Sequence, residues 1–126
     1  MWPTVRFTSG GTDGPRFDVE AYGLDGNNVY GALLSARSAS AAAEAFYGAG
    51  WRVRKSTSTD FEVEHTYAVL ELAAGDSVRF SGSVLPWRIN DLLHAFGAIR
   101  LEYQLELYDQ DGDLIATAIR RSRAAR

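Results

Sequence analysis

The 126-residue chain contains no cysteine, three prolines, one methionine and two histidines. Without cysteine there is no disulfide framework, no thiolate zinc site and no thiol nucleophile. That composition suits a reducing cytoplasm, which is the expected location. No uninterrupted apolar stretch approaches the roughly 20 residues needed to span a bilayer. The start, Met-Trp-Pro-Thr, is not a basic region followed by an apolar run, so neither a membrane anchor nor a secretory leader is expected. Gly-x-Ser-x-Gly and the dinucleotide fingerprint are missing as well, and Gly10, Gly11 and Gly14 have neither the spacing nor the following lysine of a phosphate loop.

What is present is ordinary for a globular domain: 46% apolar and 23% charged residues. The length matches the commonest size of one domain. Residues 1–119 read as a single α+β domain, and residues 120–126 as a basic, flexible tail. The net charge of −3 is unevenly spread, because Arg120, Arg121, Arg123 and Arg126 lie in the last seven positions. The body up to residue 119 keeps 9 basic against 16 acidic residues, a net −7. An acidic body repels nucleic acid and attracts a basic partner.

Periodicity supplies the architecture. A pattern of hairpin, helix and strand occurs twice, about fifty positions apart. GNNVYGALL (26–34) leads to AFYGAGWRV (45–53), and GDSVRFSGSV (75–84) leads to AFGAIRLEY (95–103). Phe46 matches Phe96, and Trp51 matches Leu101. The first helix is expected over Ala39–Ala45, capped by Ser38 or Ser40 and stopped by Gly48 or Gly50. It presents Ala39, Ala42, Ala43 and Phe46 as one stripe. The second begins at Pro86, with Asn90 or Asp91 near its start, and buries Ile89, Leu92, Leu93 and Phe96 before Gly97 ends it.

Strands are expected at Thr4–Thr8, at Phe17–Ala21 and, after a hairpin turn at Asp25–Asn28, at Val29–Leu34. Trp51 and Val53 pair with Phe61 and Val63, which sets Arg52 and Arg54 beside Glu62 and Glu64 on a solvated face. Apolar residues on both faces of Tyr67–Leu72 mark a central strand or a bulge. Ile99–Leu107 alternates throughout. A turn at Asp111-Gly112 then opposes Leu107 to Ala116, Tyr108 to Ile115, Glu106 to Thr117 and Gln104 to Ile119. The whole is an α+β fold, a mainly antiparallel twisted sheet with two short helices packed on one face.

Each candidate for chemistry has a simpler structural role. Asp109, Asp111 and Asp113 alternate as calcium ligands do, but Gly112 falls at the fourth place and Arg120 at the twelfth, so a hairpin turn explains them and no metal or cofactor is expected. His65 and His94 lack a third orienting group for a nucleophile–base pair. Most of the acids sit at exposed alternating positions, without the desolvation that acid–base catalysis uses. No catalytic residue is assigned. Trp2, Trp51 and Trp87 are taken as core residues by default, although tryptophan and tyrosine also anchor interfaces.

The combination of AAAEAFYGAGWRVR, DFEVEHTYAVLEL, a short helix and a closing YDxDGDL hairpin resembles the small immunity proteins that protect bacteria from polymorphic toxins. The likeness spans Ser38 to Ile119 and carries no functional residue across. It implies a cytosolic, non-catalytic, stoichiometric binder that occludes a toxin's active site. The outer face of the terminal hairpin mixes acids with apolar groups, which nominates Glu102, Glu106, Tyr108, Asp109 and Asp111 as the residues that meet a basic protein partner. One alternative is a small-molecule-binding or enzymatic domain with a pocket between sheet and helices. A structural homo-oligomer through the terminal hairpin edge is another.

Overall fold

The computed structural model describes residues 6–121. Seven strands form one sheet: β1 Val29–Leu33, β2 Arg52–Lys55, β3 Phe61–His65, β4 Ala68–Ala73, β5 Val78–Val84, β6 Tyr103–Tyr108 and β7 Leu114–Arg120. Two helices join them, α1 Ala39–Gly48 and α2 Ile89–Ala98. The spatial order is β2-β3-β4-β5-β1-β6-β7, and all neighbours are antiparallel. Both helices cover one face. Helix α1 lies over β2, β3 and β4, and α2 sets Phe96 against Phe80 of β5 and Tyr103 of β6. The fold is a mainly antiparallel α+β architecture.

The internal repeat is visible in three dimensions, with one change. Alternating directions across the sheet make β1 parallel to β2 and β5 parallel to β6, so each helix sits in a crossover between two parallel strands. Their C-terminal caps match bond for bond. Trp51 N–H donates to Phe46 O and Leu101 N–H to Phe96 O, each at 3.0 Å, while Gly50 and Arg100 donate to Tyr47 O and Gly97 O. This is the Schellman arrangement, and it needs a left-handed residue at its end. Gly50 has φ +95° and Arg100 has φ +58°. The matching phenylalanines meet under the sheet, with Phe46 and Phe96 ring centroids 6.0 Å apart. What precedes β1, however, is a long loop and not a hairpin.

Local signals account for most boundaries. Ser38 caps α1, its Oγ accepting from Ala41 N–H at 2.9 Å. The predicted stripe of Ala39, Ala42, Ala43 and Phe46 is buried. Arg52 faces Glu64 and Arg54 faces Glu62 across β2 and β3, as the alternation requires. Strand β4 lies inside the sheet between β3 and β5, which explains its apolar residues on both faces.

Other expectations change. Residues 17–21 form turns and no strand, because Asp18 Oδ1 accepts from the N–H groups of Glu20 and Ala21, both at 3.1 Å. A side chain that captures local amides removes them from any ladder. Residues 6–8 are irregular, and the start of the first expected strand lies outside the described residues. Helix α2 runs one residue past Gly97, and β6 begins at Tyr103, because the left-handed position is Arg100. Leu107–Ala116, Glu106–Thr117 and Gln104–Ile119 pair as expected, but a bulge beside Tyr108 opposes it to Leu114 and displaces Ile115. Trp51 is buried, whereas Trp87 is 69% exposed. Strand β7 includes Arg120, the first residue of the expected tail; Arg123, Arg126 and Trp2 lie outside the described residues.

Candidate functional site

The face opposite the helices gathers the outward side chains of every strand. One row across it reads Arg54, Glu62, Glu71, Ser81, Tyr30, Glu106 and Thr117 in register. The loop from Gly10 to Asn28 covers one half of this face. Its anchor is Glu64, only 6% exposed. One carboxylate oxygen accepts from Phe17 N–H at 2.6 Å, and the other pairs with Arg52 and Arg16, each at 3.3 Å. Further along, Ser83 Oγ donates to Gly26 O at 3.1 Å.

The other half stays open as a groove of about 790 Å³ between the end of this loop and the β6–β7 hairpin. Its floor is Tyr30 and Tyr108, packed edge to face with centroids 5.7 Å apart. Tyr30 lies directly opposite Glu106, so strand register places the carboxylate beside both rings. Tyr108 Oη donates to Glu106 Oε1 at 3.1 Å. That bond raises the phenol's pKa and keeps it neutral. Asp25 and Asp109 complete the acidic lining, which holds no Lys, Arg or His, and Ile115, freed by the bulge, adds an apolar wall.

The rim is tied down by Asn28. Its amide acts as an extra peptide unit: Nδ2 donates to Val84 O at 2.8 Å, and Oδ1 accepts from Val84 N–H at 2.9 Å. Its own carbonyl accepts from Tyr108 N–H at 2.8 Å. One residue at the start of β1 therefore holds β5 through its side chain and β6 through its carbonyl at the groove's edge.

No family model, curated protein or solved structure matches the chain.

Of the residues nominated from sequence, the structure brings Glu106, Tyr108 and Asp109 to the groove. Asp109 also builds the turn, since its Oδ1 accepts from the N–H groups of Asp111 and Asp113, both at 2.9 Å. Asp111 sits exposed at the hairpin tip. Glu102 precedes β6, four residues and about 13 Å along the chain from Glu106, where its N–H donates to Ser35 Oγ and its carbonyl accepts from Leu34 N–H. Sequence reading missed Tyr30 and Asn28, because β1 pairs with β6 at sequence separations of 70 to 78 positions. A tyrosine on the outward alternation of a strand was the available signal.

The histidines stand elsewhere. His65 packs with a tilted ring against both Trp51 and Tyr67, centroids 5.2 and 4.9 Å away, and its Nδ1 accepts from Thr66 N–H at 2.9 Å. Burial and the nearby Arg88 lower its pKa, against the opposing pull of Asp91. His94 is exposed on α2, and the Asp91 carboxylate pairs with Arg88. Burial pushes the Tyr67 phenol up to about 12. The sheet–helix interface, where a ligand pocket was the alternative expectation, is filled by buried side chains including Phe46, Leu92 and Phe96. No helix among the described residues is long and apolar enough to cross a membrane.

Proposed function

We propose that this chain is a non-catalytic protein-binding domain whose groove receives a basic partner, in the manner of an immunity-type inhibitor seated over a basic toxin active site. The observation that supports the reading is the groove's make-up: two tyrosine rings and three carboxylates, with no cation among the lining residues. A guanidinium or ammonium entering it gains a ring face and a charge-assisted hydrogen bond together. The Tyr108–Glu106 bond already holds the carboxylate in place, so little side-chain entropy is lost on binding. The surrounding net charge of −7 over residues 1–119 adds long-range steering.

The test is capture of a basic protein from cytosol by the wild-type chain and by Glu106→Lys with Asp109→Asn. The wild type retains the partner. The variant slows association by about tenfold at low salt, with a smaller effect at high salt. Unchanged association kinetics at low salt sink the reading. Charge reversal at Glu102, outside the groove, serves as the control and changes the rate less.

A second reading has one observation in its favour. The groove's 790 Å³ lies within the range of small-molecule sites. A small organic cation would use the same rings and acids, and NMR shifts at Tyr30 and Tyr108 on titration with an alkylguanidine distinguish it from a protein-only surface.

A further inference from the structure

The two edges of the sheet differ. At the β2 edge, residues 8–12 run alongside the strand: Lys55 N–H donates to Thr8 O and Thr12 N–H to Val53 O, each at 2.9 Å, and Thr12 Oγ1 accepts from Val53 N–H at 3.0 Å. The strand itself is Arg-Val-Arg-Lys, charged as a guarded edge is. Strand β7 is the opposite edge, and no strand among the described residues pairs with its outer side. Its seven residues, Leu-Ile-Ala-Thr-Ala-Ile-Arg, hold no proline and no charge before Arg120. Ile115 and Ile119 are 51% and 58% exposed. An edge this long, apolar and unguarded is a template for another strand.

The composition of β7 indicates which strand. Ile115-Ala116-Thr117-Ala118-Ile119 reads the same in both directions. Across a twofold axis, residue i meets j and j meets i. Pairing centred on Thr117 therefore sets Thr117 against itself, Ala116 against Ala118 and Ile115 against Ile119. Moving the centre to Ala116 or Ala118 loses both isoleucine pairs. We infer that the chain forms a twofold dimer in which β7 pairs antiparallel with β7 of a second copy, centred on Thr117.

Directly opposed residues share a face, so four isoleucines close over the two central threonines as β-branched cross-strand pairs. The sheet runs unbroken through the axis. Both acidic grooves then open on the same side, which makes the dimer a bivalent surface. The pairing stands whether or not the groove binds a basic protein.

Sedimentation equilibrium of the full chain across the micromolar range tests this. The wild type reaches twice the 13.8 kDa of one chain. Thr117→Lys and Thr117→Glu, at an exposed position, each sediment as single chains with unchanged circular dichroism, and an equal mixture regains the doubled mass. If either variant misfolds, Ile119→Lys, at a position 58% exposed in the single chain, sediments as one chain instead. A wild type that stays at one-chain mass, a Thr117→Lys variant that dimerises as before, or folded charge variants whose mixture fails to pair overturns the inference.

Discussion

Arg100 occupies a backbone conformation that costs any residue with a Cβ. Its φ of +58° is the left-handed region, and the matching cap of α1 places Gly50 there instead. The same three backbone bonds close both caps, so the strain is held by the cap and by the burial of Leu101 that follows. Arg100 itself is exposed. Arg100→Gly is therefore expected to stabilise the protein by about 1 kcal/mol, read as a higher urea midpoint with an unchanged slope. A decrease in stability would show that the arginine side chain contributes more than its backbone costs. Glu64 illustrates the opposite case, a costly burial offset by partners. Its carboxylate holds a backbone N–H and two guanidinium groups at once, which makes it the fastening of the N-terminal loop.

Between elements, the decisive contact is that of β1 with its two neighbours. Gly31 sits where a Cβ would lie 2.0 Å from Gln104 O and 2.6 Å from the Phe80 ring. The bare backbone lets that ring lie over β1 and reach Phe96, 5.4 Å away between centroids. Gly31→Ala displaces both the β6 backbone and the ring, at a cost of roughly 1–3 kcal/mol. Amide exchange measures it: protection falls along β1 and β6 while β2 and β3 keep theirs, and an unchanged pattern would refute the close approach. At the other end of β6, the bulge beside Tyr108 releases Ile115 from the ladder and turns a plain hairpin into one wall of the groove.

Over the molecule as a whole, one pole is aromatic and pH-sensitive. Trp51, His65 and Tyr67 form one cluster of mutually tilted rings, Arg88 lies 4.8 Å from the Tyr67 ring centre, and Tyr67 Oη donates to Asp91 O at 3.2 Å. Desolvation there lowers the pKa of His65 from its ordinary 6.5. The unfolded chain then binds a proton that the folded ring resists, so the contribution to stability is full above 6.5 and declines as pH falls through the lowered value. Unfolding free energies measured on both sides of 6.5 should show this decline in the wild type and a flatter profile in His65→Gln. Equal slopes in the two proteins would assign the pH dependence to other groups.

The α1 stripe, the Arg–Glu ladder of β2 and β3, most of the β6–β7 register and the twofold echo of the chain were all legible from the amino acids, because each depends on residues close in sequence or on strict periodicity. Phe17–Ala21 alternates just as well, yet Asp18 captures its amides and the stretch turns. Trp87 was misplaced because a single large side chain carries no period to show which way it faces. The groove lay beyond reach for a related reason. It needs β1 inserted between β5 and β6, which sets Tyr30 beside Glu106 and Asn28 beside Val84, and that insertion is a long-range choice of packing. Local chemistry determined the pieces and their faces, and the order of strands in the sheet decided which of those faces came to share a site.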